Sequence, residues 1–381
     1  MIPLRSLQAA VLGLALVPQA ATAQRYWKDT LYPFVYYTSI DKFWFGGYYA
    51  KYSPIGYIDR PERYLASFNL TAAASTEGSY RAVLLADLPA WWDNWRISAT
   101  AFAVRFNRLG YFGLGNETPY DRDSISADNP YHYAVSRTTQ QIRATVQRRV
   151  IGHLRVLAGG VLEHTDYRTL PGGNVFRKEL ADSSLTEGQV GFLDLVGRFG
   201  LVFDTRDNEL DPHRGVLLEA LFGGGEGYSR FTAHARAFVQ PVEPLTVAGR
   251  IGIEAMPGDP PLAPMTQMES SEVPFVAVGG YYSLRGYYEG RFAGPGKLLG
   301  GIEARYALLW APSILELKLV GFYDVGRVFG PGETVQLTTR GLHHGGGGAV
   351  ALRLGRNTLV TAGVGFSPEG STYLFGTTWS F

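Results

Sequence analysis

The residues STYLFGTTWSF, Ser371 to Phe381, repeat with a period of two. Tyr373, Phe375, Thr377, Trp379 and Phe381 share one parity, while Gly376, Thr378 and Ser380 share the other. Such a segment is a strand with one aromatic face and one small, polar face. The pattern recurs upstream with charge added. In RFTAHARAFVQ, Arg230, Thr232, His234, Arg236 and Gln240 alternate with Phe231, Ala233, Ala235, Ala237 and Val239. In GIEARYALLW, Glu303 and Arg305 alternate with Ile302, Ala304, Tyr306, Leu308 and Trp310. A soluble propeller or sandwich also alternates, but it must cover each apolar face with another sheet. A barrel in lipid turns that face outward and keeps its charges inside.

Connection lengths favour the barrel. Strands are expected at 34–38, 43–52, 64–75, 78–89, 95–107, 132–149, 153–165 and 193–205 in the first half of the chain. The second half supplies 215–224, 228–240, 245–256, 297–311, 315–329, 345–355, 358–366 and 371–381, sixteen in all. With the first strand starting in the periplasm, the inner connections at 90–94, 151–152, 311–313 and 356–357 are short. The outer ones at 108–131, 166–192, 257–296 and 330–344 are long. Short inside and long outside is the asymmetry of an outer-membrane barrel. Trp91 and Trp92 then fall at the inner interface, and the aromatic residues of 371–381 join an outward girdle.

Composition agrees where it speaks. Gly 47, Tyr 23 and Phe 21 lean toward strands, and a net charge of +1 gives no general reason to expect nucleic acid. Zero Cys excludes disulfides and thiolate metal sites. Residues 1–23 read as a secretory signal peptide: Arg5, an apolar stretch Ala9–Val17, and Ala21-Thr22-Ala23 as the cleavage site. No later segment is apolar for the roughly 18 residues that a membrane helix needs. Residues 24–381 are expected to form a single barrel domain, with only Arg25–Pro33 ahead of the first strand.

The loop after the eleventh strand holds Leu284-Arg285-Gly286-Tyr287, the next strand carries Glu303 in GGIEAR, and the one after carries Asp324 in GFYDVG. This set resembles the BamA/TamA family of outer-membrane proteins, also called bacterial surface antigen proteins. The resemblance implies a long sixth outer loop folded into the lumen, with Arg285 meeting Glu303 and Asp324 as a lumen clamp. Parity independently turns both carboxylates inward, since Asp324 shares its phase with Glu316 and Lys318 and opposes Leu315, Leu317, Leu319 and Tyr323. One guanidinium offers five donors in a rigid fork, enough for two acids on adjacent strands.

FDTRDNELDPHRG, 203–215, is similar to the family's central inner turn, and YFGLGNE, 111–117, to its third outer loop. Tyr373, Phe375, Trp379 and Phe381 resemble the carboxy-terminal signal that the barrel assembly machinery reads. Typical members carry periplasmic POTRA domains that receive clients by strand addition, and this sequence resembles the subgroup without them.

Other features have plain readings. Acids in 204–215 are accompanied by ordinary turn formers, and His343 and His344, adjacent in a strand, point to opposite faces. No zinc-helix, phosphate-loop, dinucleotide or nucleophile-elbow motif is present, so no cofactor, metal or enzymatic activity is expected. Arg143, Arg149, Arg198, Arg230, Arg236 and Arg305 fall on inner faces, either as a basic lumen favouring anions or, preferably, paired with acids such as Asp194 and Glu219.

The expected function is protein insertion or translocation, working at a weak seam between a short strand 34–38 and a longer strand 371–381. Its partners would be outer-membrane lipid, the assembly machinery during biogenesis, and client membrane proteins or a periplasmic partner. The alternatives are a transport pore plugged by the Arg285 loop, or a structural subunit of an envelope assembly.

Overall fold

The computed structural model describes residues 26–38, 41–55, 60–311, 315–355 and 358–381. The signal segment 1–23 and the inner connections at 312–313 and 356–357 lie outside the described residues.

The first eleven strands are β1 (Lys28–Thr38), β2 (Lys42–Ser53), β3 (Ala66–Ser75), β4 (Tyr80–Trp92), β5 (Trp95–Gly110), β6 (Ala134–Ile151), β7 (Leu154–Thr169), β8 (Gly191–Asp204), β9 (Gly215–Gly225), β10 (Tyr228–Val242) and β11 (Leu245–Ala255). Two short strands, β12 (Gln267–Met268) and β13 (Phe275–Val276), pair with each other inside the sixth outer loop. The last five are β14 (Gly296–Ala311), β15 (Leu315–Phe329), β16 (His343–Leu354), β17 (Thr358–Ser367) and β18 (Gly370–Gly376). Without β12 and β13 they form one 16-stranded antiparallel sheet in chain order. Each strand expected from periodicity is present, and the four longest connections, 111–133, 170–190, 256–295 and 330–342, all lie at the outer end, although the other outer connections are short and the inner ones at 54–65 and 205–214 are not.

The sheet inverts the polarity of a soluble fold. Along β8, Leu193, Leu195, Phe199 and Leu201 are exposed while Asp194, Arg198 and Val202 are buried. On β14, Ile302 and Tyr306 face out, and Glu303 and Arg305 are buried. Arg291, Arg305 and Lys297 are among the largest fully buried side chains. Apolar outside and ionic inside is what a barrel wall in lipid requires. No helix among the described residues is long and apolar enough to cross a membrane.

Both ends of the sheet depart from the expected pattern. The first strand begins at Lys28, not at residue 34; Pro33 sits within it opposite Gly47, which an edge strand tolerates because the missing N–H costs no ladder bond. The last strand stops at Gly376 instead of running to Phe381. The first strand is therefore the longer, 11 residues against 7, the reverse of the expectation. Among the described residues no ladder joins β18 to β1. From Lys28 to Tyr37 every residue but Phe34 is exposed, so both faces of β1 are largely uncovered.

The outer end is roofed. Tyr111 from the third loop, Phe176 and Leu185 from the fourth, and Met256, Leu262 and Met265 from the sixth belong to one buried apolar cluster.

Candidate functional site

The sixth outer loop, residues 256–295, folds back into the barrel in two arms. Glycine makes the second arm possible. Gly286 has φ +102°, and a Cβ there would lie 2.5 Å from the Phe366 carbonyl oxygen. Across from it, a Cβ on Gly345 would lie 2.0 Å from the Arg285 carbonyl oxygen. The loop backbone thus rests directly on the bare backbone of β16 and β17. Leu284 and Tyr287 are buried beside Val278, Phe292, Leu299 and Val328.

This seat delivers Arg285 to the wall of β14 and β15. Its Nε donates to Asp324 Oδ2 at 2.6 Å and its Nη2 to Asp324 Oδ1 at 2.8 Å. Its Nη1 donates to Glu303 Oε1, and the Arg285 backbone N–H adds a bond to Asp324 Oδ2 at 3.2 Å. The guanidinium carbon stands 3.8 Å from the centre of the Phe322 ring. All three ionic side chains are buried. Neighbouring cations share the acids: Arg305 Nε donates to Glu303 Oε2 at 2.8 Å, and Arg250 lies 3.6 Å from Asp324.

The last five residues enter the same space. Tyr373 and Phe375 point outward, with Tyr373 95% exposed, but Trp379 and Phe381 are buried at 6% and 7%. The expected outward placement of those two is wrong because the backbone leaves the sheet after Gly376, where cations and hydrogen bonds hold the tail inside. Arg305 stands 3.9 Å from the Trp379 ring and Arg250 4.4 Å from the Phe381 ring. Trp379 Nε1 donates to Asp211 at 3.0 Å, and Ser380 Oγ donates to Glu303 Oε1 at 2.6 Å. The Tyr281 hydroxyl donates to the Thr378 carbonyl at 2.6 Å.

The other arm carries Glu269-Ser270-Ser271-Glu272 at the tip of the β12–β13 hairpin, which periodicity passed over. Glu269 accepts from Arg143 and, at 3.0 Å, from Arg198. Glu272 accepts from Arg206 at 2.8 Å and Arg236 at 2.9 Å. Arg230 binds Glu254 of β11 at 2.9 Å. Glu219 lies 3.6 Å from Arg236. Among the described residues Asp194 pairs with none of the expected arginines; it accepts from the Tyr228 hydroxyl at 2.7 Å, while the loop's own acids pair with Arg143, Arg198 and Arg236. Arg149 is exposed near the end of its strand. An imbalance of arginines over wall acids was the available signal for Glu269 and Glu272.

Arg291 pins the loop a second time. It donates to Thr118 Oγ1 at 2.7 Å and to Glu369 at 2.9 Å, with the Phe292 ring 4.5 Å away.

Ligand atoms of Asp211, His213 and Glu316 lie within 4.8 Å of one another. Lys318 Nζ stands 2.5 Å from Asp211 and 3.1 Å from Glu316, so side-chain cations already neutralise that cluster. His343 and His344 diverge: His343 stacks on Phe292 at 4.0 Å, and His344 meets the Tyr323 hydroxyl at 2.7 Å.

Residues 67–366 match the Omp85 superfamily domain. The chain belongs to the Omp85 superfamily. Among solved structures, this Omp85 barrel is similar to BamA from Haemophilus ducreyi lacking POTRA domains 1–3, at 12% identity and TM-score 0.56, covering 92% of this chain and 69% of that one. It is also similar to CdiB from Escherichia coli, at 12% identity and TM-score 0.57, covering 94% of this chain and 61% of that one. At that identity the likeness is one of fold. No curated protein sequence matches the chain. Superfamily membership makes it an outer-membrane barrel related to protein insertion and translocation.

Proposed function

We propose that this Omp85 barrel inserts or translocates other polypeptides at the seam between β18 and β1. The observation that carries the reading is the pair of strand edges there, unjoined among the described residues. An unpaired edge presents a row of free N–H and C=O groups, which template an incoming strand. The seven-residue β18 offers few ladder bonds to compete with a client. Recruitment would run through a periplasmic partner or directly from lipid.

In this reading Arg285, Glu303 and Asp324 are a clamp that fixes the loop, not a catalytic centre. The guanidinium is held by two carboxylates through three of its donors, and the seam needs only backbone pairing. Tyr373, Phe375, Trp379 and Phe381 act earlier, as the assembly signal of the unfolded chain, after signal-peptide removal following Ala23. The test is depletion of the protein followed by quantitation of the outer-membrane proteome, together with folding of a urea-denatured client barrel into liposomes holding the purified protein. At least one client should fall on depletion and fold faster in the loaded vesicles. Unchanged client levels and an unchanged folding rate would remove the reading.

A further inference from the structure

We propose that the Glu269–Glu272 tip is an internal counter-ion for an anion-conducting lumen, so that withdrawal of the tip opens a path selective for small anions. The inference stands apart from the seam, since it concerns the interior and is read by conductance.

The wall arginines carry the argument. Among the described residues, the ion pairs of Arg143 on β6 and Arg198 on β8 are both with Glu269. Each also leans on the tip backbone, Arg198 donating to the Ser270 carbonyl at 2.8 Å and Arg143 to the same oxygen at 3.4 Å. Arg206 and Arg236 share their charge between Glu272 and wall or turn acids, Asp204 for the first and Glu219 for the second. The loop therefore supplies acids to an array that the wall alone leaves with excess positive charge.

Space for the anions is present. A cavity of about 680 Å³ lies against the tip, lined by six arginines and four carboxylates, one of which is Glu272. Two of those arginines, Arg236 and Arg250, are more than nine-tenths buried and keep an Nε without a hydrogen-bond partner. Both guanidinium groups are thus fixed charges in the wall beside the cavity. A ring of fixed cations in a pore selects anions, and the low dielectric of the wall strengthens that bias. Leu262 and Met265 of the same loop belong to the outer roof, so withdrawal of the whole loop would clear both the tip and the roof.

A merely structural tip predicts something different: losing its acids would loosen the barrel without giving its openings a charge preference. The full chain is reconstituted in planar bilayers under a KCl gradient. Glu269→Gln/Glu272→Gln should raise the open fraction several-fold, with a reversal potential of the sign set by chloride. Adding Arg143→Gln/Arg198→Gln should reduce that chloride preference, and raising the salt should weaken it by screening. Assembly is checked by heat-dependent gel migration. Should the double variant not assemble, Glu272→Gln alone, whose side chain is 31% exposed, must show the same sign and a smaller rise. An open fraction no greater than that of the parent protein, or openings that favour potassium, overturns the proposal.

Discussion

Arg285 meets two carboxylates of adjacent strands and the Phe322 ring, so reversing its charge places three acids together in a buried site. Arg285→Glu should destabilise the folded barrel by about 3–5 kcal/mol, the cost of breaking a buried pair, read as a lower urea midpoint. Adding Glu303→Arg or Asp324→Arg should recover part of the loss; purely additive damage would show that the groups do not interact. Strand parity was enough to turn Glu303 and Asp324 inward, because a strand repeats every two residues. The same reasoning had no hold on Glu269, Glu272 or Arg291, which lie in a loop with no period. Arg250 was equally silent, since what it touches, the Ser283 carbonyl at 2.5 Å and the Phe381 ring, is distant in sequence.

Among elements, β16 and the last strand show what alternation can and cannot fix. The run Gly345–Gly348 carries no apolar signal, yet its first residue, together with Gly365 of β17, is the seat on which the sixth loop lies. Gly345→Ala should lift the loop and expose it to trypsin, whereas Gly348→Ala, whose nearest neighbour would be 3.5 Å away, should be tolerated. Equal cleavage in the two variants would deny the seat. Parity continues unbroken through Phe381, so the sequence looks like strand to its last residue; the departure at Gly376 is decided by tertiary contacts. Cation–π contacts are worth about 2 kcal/mol when desolvated, and truncating a buried Trp costs about 3–5 kcal/mol. Trp379→Ala should accordingly free the tail and speed hydrogen exchange at the amides of Ser380 and Phe381. Unchanged protection would mean the indole does not hold it.

At the scale of the molecule, sixteen strands, their order and the loop asymmetry were legible because lipid outside and charge inside impose one rule along the whole wall. The seam was not, because relative strand length at an edge depends on partners that periodicity does not encode. A photo-crosslinker at Val35, exposed on β1, should capture a client chain in native membranes. Capture of β18 of the same molecule alone would mean that the seam is closed during work.

The bare backbone under the sixth loop has a bearing on how the cylinder is completed. Glycine surrenders more freedom than any other residue when it is ordered, and Gly345–Gly348, Gly363 and Gly365 concentrate that loss in β16 and β17, the two staves that lead up to β18. Those staves have little of their own to grip. They should settle late in biogenesis, once the arginine-bearing segment is already in place to serve as their mould.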